Sequence, residues 1–183
     1  MTFTTTAGEV KMNTYVGTKL VKMRPMTRAE YNVYRGWELP SDENGTDEGY
    51  LVEYMDGGKP NMPGHDGYVS WSPKEQADGA YRPSAGMSFG LALEAMKKGH
   101  RVARSGWNGK GMFVFLVPGS ELTAGVLRPG TPYKALADEM GMAEGDAFTI
   151  CGHIDMKAAD GSMVVGWLAS QTDMLADDWS IVE

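Results

Sequence analysis

Between Ser88 and Gly99 the chain carries a helix that cannot stand alone. Ser88 is placed to cap it, Phe89, Ala92, Leu93 and Met96 fall on one stripe, Lys97 and Lys98 occupy the last turn, and Gly99 stops it. A helix of this length is marginal in water, so its apolar stripe has to be buried against another element. The nearest partners in sequence are strands: Arg101 to Arg104, then the apolar run Met112 to Val117, ended by Pro118-Gly119. Ile150 to Ala158 alternates as a strand, Ala159-Asp160-Gly161 makes a turn, and Ser162 to Leu168 returns antiparallel. A short helix is expected over Asp173 to Asp178 and a final strand over Trp179 to Val182. The expectation is α+β, with a C-terminal antiparallel sheet packed on one main helix. The stretch 119–150 is left open except for a short helix within Tyr133 to Met140, because Pro and Gly interrupt any longer element.

The first half reads as a smaller α+β domain. Residues 1–12 are Thr-rich and without periodicity, a flexible leader. Thr14 to Met23 reads as a strand stopped by Pro25, and Thr27 to Glu30 matches a capping box opening a helix that ends at Gly36. Strands follow at Gly49 to Met55 and Gly67 to Trp71, and Ser72-Pro73-Lys74-Glu75 reads as another helix start. The resulting division is a leader 1–12, a small α+β domain 13–82, a linker 83–86 and a C-terminal domain 87–183, with the linker marked by Pro83, Ser84 and Gly86.

Composition excludes several function classes. The net charge of -7 disfavours a general binder of DNA or RNA, whose affinity comes from clustered Lys and Arg. No apolar run approaches membrane-spanning length, the N-terminus lacks a secretory pattern, and Cys151 is the single cysteine. The expectation is a protein of a reducing cytoplasm, in contact with no membrane.

Three stretches carry candidate chemistry. In Trp167 to Trp179, Ser170, Gln171, Thr172 and Asp173 set hydroxyl, amide and carboxylate groups beside an indole, the usual mix of a small-molecule pocket. The same Ser-x-x-Asp spacing also suits a simple helix cap. In Gly106 to Gly111, Trp107 sits beside Arg104 and Lys110, either as a packed turn or as a stacking surface next to positive charge. Cys151, His153 and Asp155 alternate on one expected strand and would share a face, as a metal site or a Cys–His hydrolase would need. No second ligand cluster accompanies them, so no metal or cofactor is expected. His65 and His100 read as solvated loop residues.

Longer motifs are recognisable. Met87-Ser88-Phe89-Gly90 with Leu93 to Met96, Val102 to Met112, His153 to Lys157 with Asp160-Gly161, and Trp167 through Trp179 closely resemble the second family of Thoeris anti-defence proteins encoded by phages. Residues 13–82 are similar to a small uncharacterised phage domain, and 121–149 follows no family motif.

The resemblance implies a sponge and not an enzyme. Such proteins capture the glyco-cyclic ADP-ribose signal that a bacterial TIR-domain enzyme makes on infection, and some members are thought to hold cyclic dinucleotides in separate pockets. It further implies a homo-tetramer in the host bacterial cytoplasm, with the ligand held between protomers. By position, Trp107 and Trp167 would stack on the base with Phe89 nearby. Asn108, Ser170, Gln171, Thr172 and Asp173 would supply hydrogen bonds, and Arg104 or Lys110 would offset phosphate charge. The alternatives are a phage structural or protein-interaction module, and a hydrolase using Cys151, His153 and Asp155.

Overall fold

The computed structural model describes residue 14 and residues 17–182. The leader expected over 1–12 lies outside the described residues, as do Tyr15 and Val16 of the first expected strand. The chain divides into two compact units, Met1–Gly79 and Ala80–Glu183.

The first unit is a three-stranded antiparallel sheet with a helix between its first two strands. Strand β1 (Val21–Pro25) pairs with β2 (Gly49–Tyr54), which pairs with β3 (Tyr68–Pro73). Pro25 does not stop β1 but ends it, at an edge where its missing N–H costs no ladder bond. Helix α1 (Arg28–Arg35) has the anticipated capping box between Thr27 and Glu30, and Gly36 closes it at φ 69°. Tyr31 packs with Met26, Leu51 and Val69 to form the small core. Helix α2 (Lys74–Ala80) starts one residue later than Ser72-Pro73 suggested, because β3 extends through Pro73 and Lys74 N–H donates to Glu48 O at 3.0 Å.

His65 is not solvated. Its Nε2 lies 2.8 Å from the Tyr34 hydroxyl, and its Nδ1 is 3.1 Å from Glu53 Oε2, an ion-pair distance without good hydrogen-bond alignment. Glu53 Oε1 also accepts from Gly67 N–H and Asp66 N–H. The Gly67 bond, helped by His65, holds the Glu53 carboxyl at about 2. The residues tie the 57–67 loop onto β2 and α1.

In the second unit the helix finds the sheet its stripe required. Six antiparallel strands lie in the order β10-β9-β6-β5-β11-β4: Met163–Val164, His153–Lys157, Phe113–Val117, Arg101–Arg104, Trp179–Val182 and Ala85–Met87. Helix α3 (Phe89–Lys97) buries Ala92, Ala95 and Met96 against Val102, Val114, Met156 and Trp179. Burying a Met or Val side chain stabilises by about 1.5–3 kcal/mol, so this layer dominates the unit. The fold is α+β, as expected.

Several boundaries differ from the sequence reading. Ala85 and Gly86, expected in a linker, begin β4. The strand expected over Ile150 to Ala158 is two strands, β8 (Ala147–Ile150) and β9, because the chain turns at Cys151-Gly152. There Gly152 passes Gly119 so closely that a Cβ on Gly119 would lie 3.0 Å from Gly152 N. Strand β8 pairs with β7 (Ser120–Thr123), and helix α4 (Pro132–Glu139) lies between them in sequence. Ala124, Leu127 and Ala137 form a separate small core for this stretch. The return strand expected over Ser162 to Leu168 pairs only at Met163 and Val164. The last helix, α5, is Gln171–Met174, earlier than the expected Asp173 to Asp178.

Candidate functional site

In the C-terminal unit three further aromatic rings and the Arg104 ion pairs gather around Trp179. Strand β11 pairs with β5 in the register Trp179↔Arg104, which brings the end of the chain beside the loop carrying Trp107. Trp179 is fully buried, and three rings surround it: Trp107 at 5.3 Å, Phe89 at 5.4 Å and Trp167 at 6.2 Å between centroids. Trp107 and Trp167 meet each other at 6.1 Å with an interplanar angle of 70°. Edge-to-face packing of this kind adds about 0.5–1.5 kcal/mol per pair beyond area burial. The angle also means that a base cannot slide between these two indoles within one protomer.

A charged network underlies the rings. Arg104 Nε donates to Asp178 Oδ1 at 2.7 Å, and its Nη1 donates to Asp173 Oδ1 at 2.9 Å and to Thr172 O at 3.0 Å. Asp178 also accepts from Gly106 N–H at 2.7 Å, which fixes the start of the Trp107 loop. Asp173 Oδ1 takes a further bond from Trp107 Nε1 at 3.0 Å. Its Oδ2 accepts from Ser170 Oγ at 2.6 Å and Ser170 N–H at 3.0 Å, and Trp179 Nε1 donates to the Asp173 carbonyl at 3.0 Å. Burial by itself would raise the Asp173 pKa, but the bonds from Ser170, Trp107 and Arg104 outweigh it and hold it at about 2. Asp178 is likewise held below the usual carboxylate range, first by Arg104.

Ser170 and Asp173 therefore form the cap of α5, with both reciprocal bonds present. Capping and clustering are the same contact here, since the capping carboxylate is also the one that Trp107 and Arg104 reach. The structure brings together Phe89, Arg104, Trp107, Trp167, Ser170, Thr172 and Asp173. Asn108 and Lys110 stand exposed on the loop between β5 and β6, and Gln171 stands exposed at the first position of α5. The residues that the sequence reading left out are Asp178 and Trp179. An acid immediately before a buried Trp in the strand facing Arg104 was the available signal, but it needs the β5–β11 register to be read.

The groups with free hydrogen-bonding capacity differ from those that are committed. Arg104 and Asp173 already satisfy one another and hold their neighbours rigidly in place. Gln171, Asn108 and Lys110 present polar groups to solvent, whereas the exposed Thr172 hydroxyl already shares a bond of 2.8 Å with Ser170 Oγ. Near Gln171 and Thr172 in sequence are large exposed apolar side chains, with Leu168 88% exposed, Leu175 79% and Val165 69%.

The Cys151, His153 and Asp155 set does not assemble as a nucleophile and base. With Gly152 breaking the strand, His153 Nδ1 faces the Cys151 backbone oxygen at 2.9 Å and Nε2 is 3.5 Å from Asp155 Oδ1. Both ring nitrogens have partners other than the thiol, and Asp155 Oδ1 also accepts from Gly166 N–H at 3.0 Å. Among the described residues no group of three or more His, Cys, Asp or Glu is placed to hold a metal ion, and no helix is long and apolar enough to cross a membrane.

Comparison with known proteins points the same way as the motifs. Residues 87–182 match the family model described as the Thoeris anti-defense 2-like domain, and the match runs through the β7–α4–β8 stretch that carried no motif. Over 98 residues the chain is 40% identical to the Thoeris anti-defense 2 protein of Bacillus phage SP01, a match covering 52% of this chain and 94% of that protein.

Proposed function

We propose a role for the chain from one premise: it belongs to the Thoeris anti-defence 2-like family. That membership supports a phage anti-defence role against Thoeris immunity. The mechanism we infer is sequestration, in which the protein binds a cyclic nucleotide immune signal in the host cytoplasm and releases it unchanged. Glyco-cyclic ADP-ribose is the leading ligand, and cyclic dinucleotides are the second class.

The observation that carries this reading is the meeting of Trp107 and Trp167 at 6.1 Å over a fixed Arg104–Asp173 pair. Half-buried indoles held from beneath lose little freedom when a base stacks on them, and stacking contributes roughly 1–3 kcal/mol per base. Thr172, Gln171 and Asn108 stand ready to bond ribose or base, and Lys110 to offset a phosphate. Because the two indoles are crossed, each gives a base one surface only. The apolar rim of Val165, Leu168, Met174 and Leu175 suits a second protomer that would cover the other side, as a homo-tetramer does.

A sponge works by mass action, so it needs tight binding and no turnover. Lowering free signal a thousandfold takes excess sites and a Kd about a thousandfold below their concentration, a difference of roughly 4 kcal/mol. The test is to incubate the purified protein with glyco-cyclic ADP-ribose, remove unbound ligand, denature by heat and analyse what is released. Intact ligand is the expected result; a cleaved product overturns sequestration, and no captured ligand overturns the assignment of this signal.

A further inference from the structure

We propose that the C-terminal unit has a second ligand site, where strands β5 and β6 part, and that it takes a small aromatic anion. The strands pair at Val102↔Val114. Continuing that antiparallel register would set Arg101 opposite Phe115 and His100 opposite Leu116. Those four residues instead line a cleft of about 260 Å³, joined by Met96 and Met163. Met96 and Leu116 also border the core that holds Trp179, but none of the lining residues takes part in its ring cluster or in the Arg104 network.

The lining specifies the occupant. Phe115, Leu116, Met96 and Met163 give apolar walls, and Phe113, which also lines the cleft, packs on Phe115 at 6.0 Å between centroids. The Arg101 guanidinium lies 5.1 Å from the Phe113 ring centre, and Lys157 Nζ lies 5.8 Å from the same ring. The Arg101 guanidinium thus lies over an aromatic face, and among the described residues no carboxylate is paired with it. An aromatic wall beside an exposed cation selects a ligand with a flat apolar body and an anionic group. Sites for drug-sized ligands span about 300–1,000 Å³, so a cleft just below that range holds a single ring system and its acidic group.

The test uses 2-naphthalenesulfonate and the full-length protein, followed by backbone amide chemical shifts. Saturable shifts centred on Gly99, Arg101 and Phe115 are expected. Arg101→Gln, at an exposed position, should weaken binding about tenfold, Arg101→Lys should weaken it less, and uncharged 2-methylnaphthalene should bind at least tenfold more weakly than the sulfonate. Gln171→Ala should leave the affinity unchanged. The proposal is overturned by shifts that centre on Trp167 to Thr172, by scattered shifts that do not saturate, or by equal affinity in Arg101→Gln. None of these outcomes bears on capture of the cyclic nucleotide, which is read separately.

Discussion

The indole N–H of Trp107 donates to Asp173 Oδ1 at 3.0 Å, so the residue proposed to stack on a base is fixed by the residue that caps helix α5. The same carboxylate is paired with Arg104, and Arg104 with Asp178. The proposed binding surface and local stability are thereby coupled through one acid.

Replacing that acid should be costly. Asp173→Asn keeps the shape but removes the charge, leaving Arg104 half-paired and turning an amide donor toward Arg104, Trp107 or Ser170. Breaking a buried ion pair by removing one partner costs about 3–5 kcal/mol. Urea denaturation should show a loss near the lower end, since Asp178 still engages Arg104. An unchanged midpoint would show that the network contributes little.

The same residue sets an acid sensitivity. Its folded pKa of about 2 lies below the ordinary carboxylate value, so its stabilisation is fully present above about pH 4 and lost as pH falls through 2. The contribution is roughly 2 kcal/mol. Unfolding midpoints measured from pH 7 down to pH 2 should fall more steeply in the wild type than in Asp173→Asn. Parallel curves would contradict the assignment.

Exposed polar neighbours should behave in the opposite way. Gln171→Ala and Thr172→Ala touch no core, so each should change stability by less than about 0.5 kcal/mol. Each should weaken glyco-cyclic ADP-ribose by about 0.5–1.5 kcal/mol in calorimetric titration. Trp167→Ala should lose binding by roughly 1–3 kcal/mol and stability as well, because its ring also packs on Trp179.

The apolar rim makes a prediction about assembly. Leu168→Glu places a charge where a second protomer is proposed to sit, and native mass spectrometry should show smaller species than the wild type. If the mass distribution is the same for both, the rim is not a subunit contact.

His153→Ala separates the binding reading from the hydrolase. Binding of the signal should be retained, and no product should form with either protein. Turnover by the wild type that disappears in this variant would restore His153 to a catalytic role.

Features governed by residues within four positions of one another were legible in the chain itself. The Thr27–Glu30 and Ser170–Asp173 caps, the stop at Gly36, the stripe of α3 and the bounds of β5 and β11 all follow from local hydrogen bonding and periodicity. The family motifs likewise run along the chain, which is why Trp107 and Trp167 stood out before any geometry was known. Contacts between distant segments were decided only in three dimensions. Arg104 reads as a cation for phosphate until the β5–β11 register sets it against Asp178, 74 residues away, and Asp173 reads as a ligand contact until Arg104, Trp107 and Ser170 fill its lone pairs. Cys151, His153 and Asp155 share a face in an unbroken strand, but the approach of Gly119 to Gly152 breaks it. A cap or a stripe depends on neighbours in sequence, whereas a strand register depends on which remote surfaces exclude water together, and the order of residues does not state that pairing.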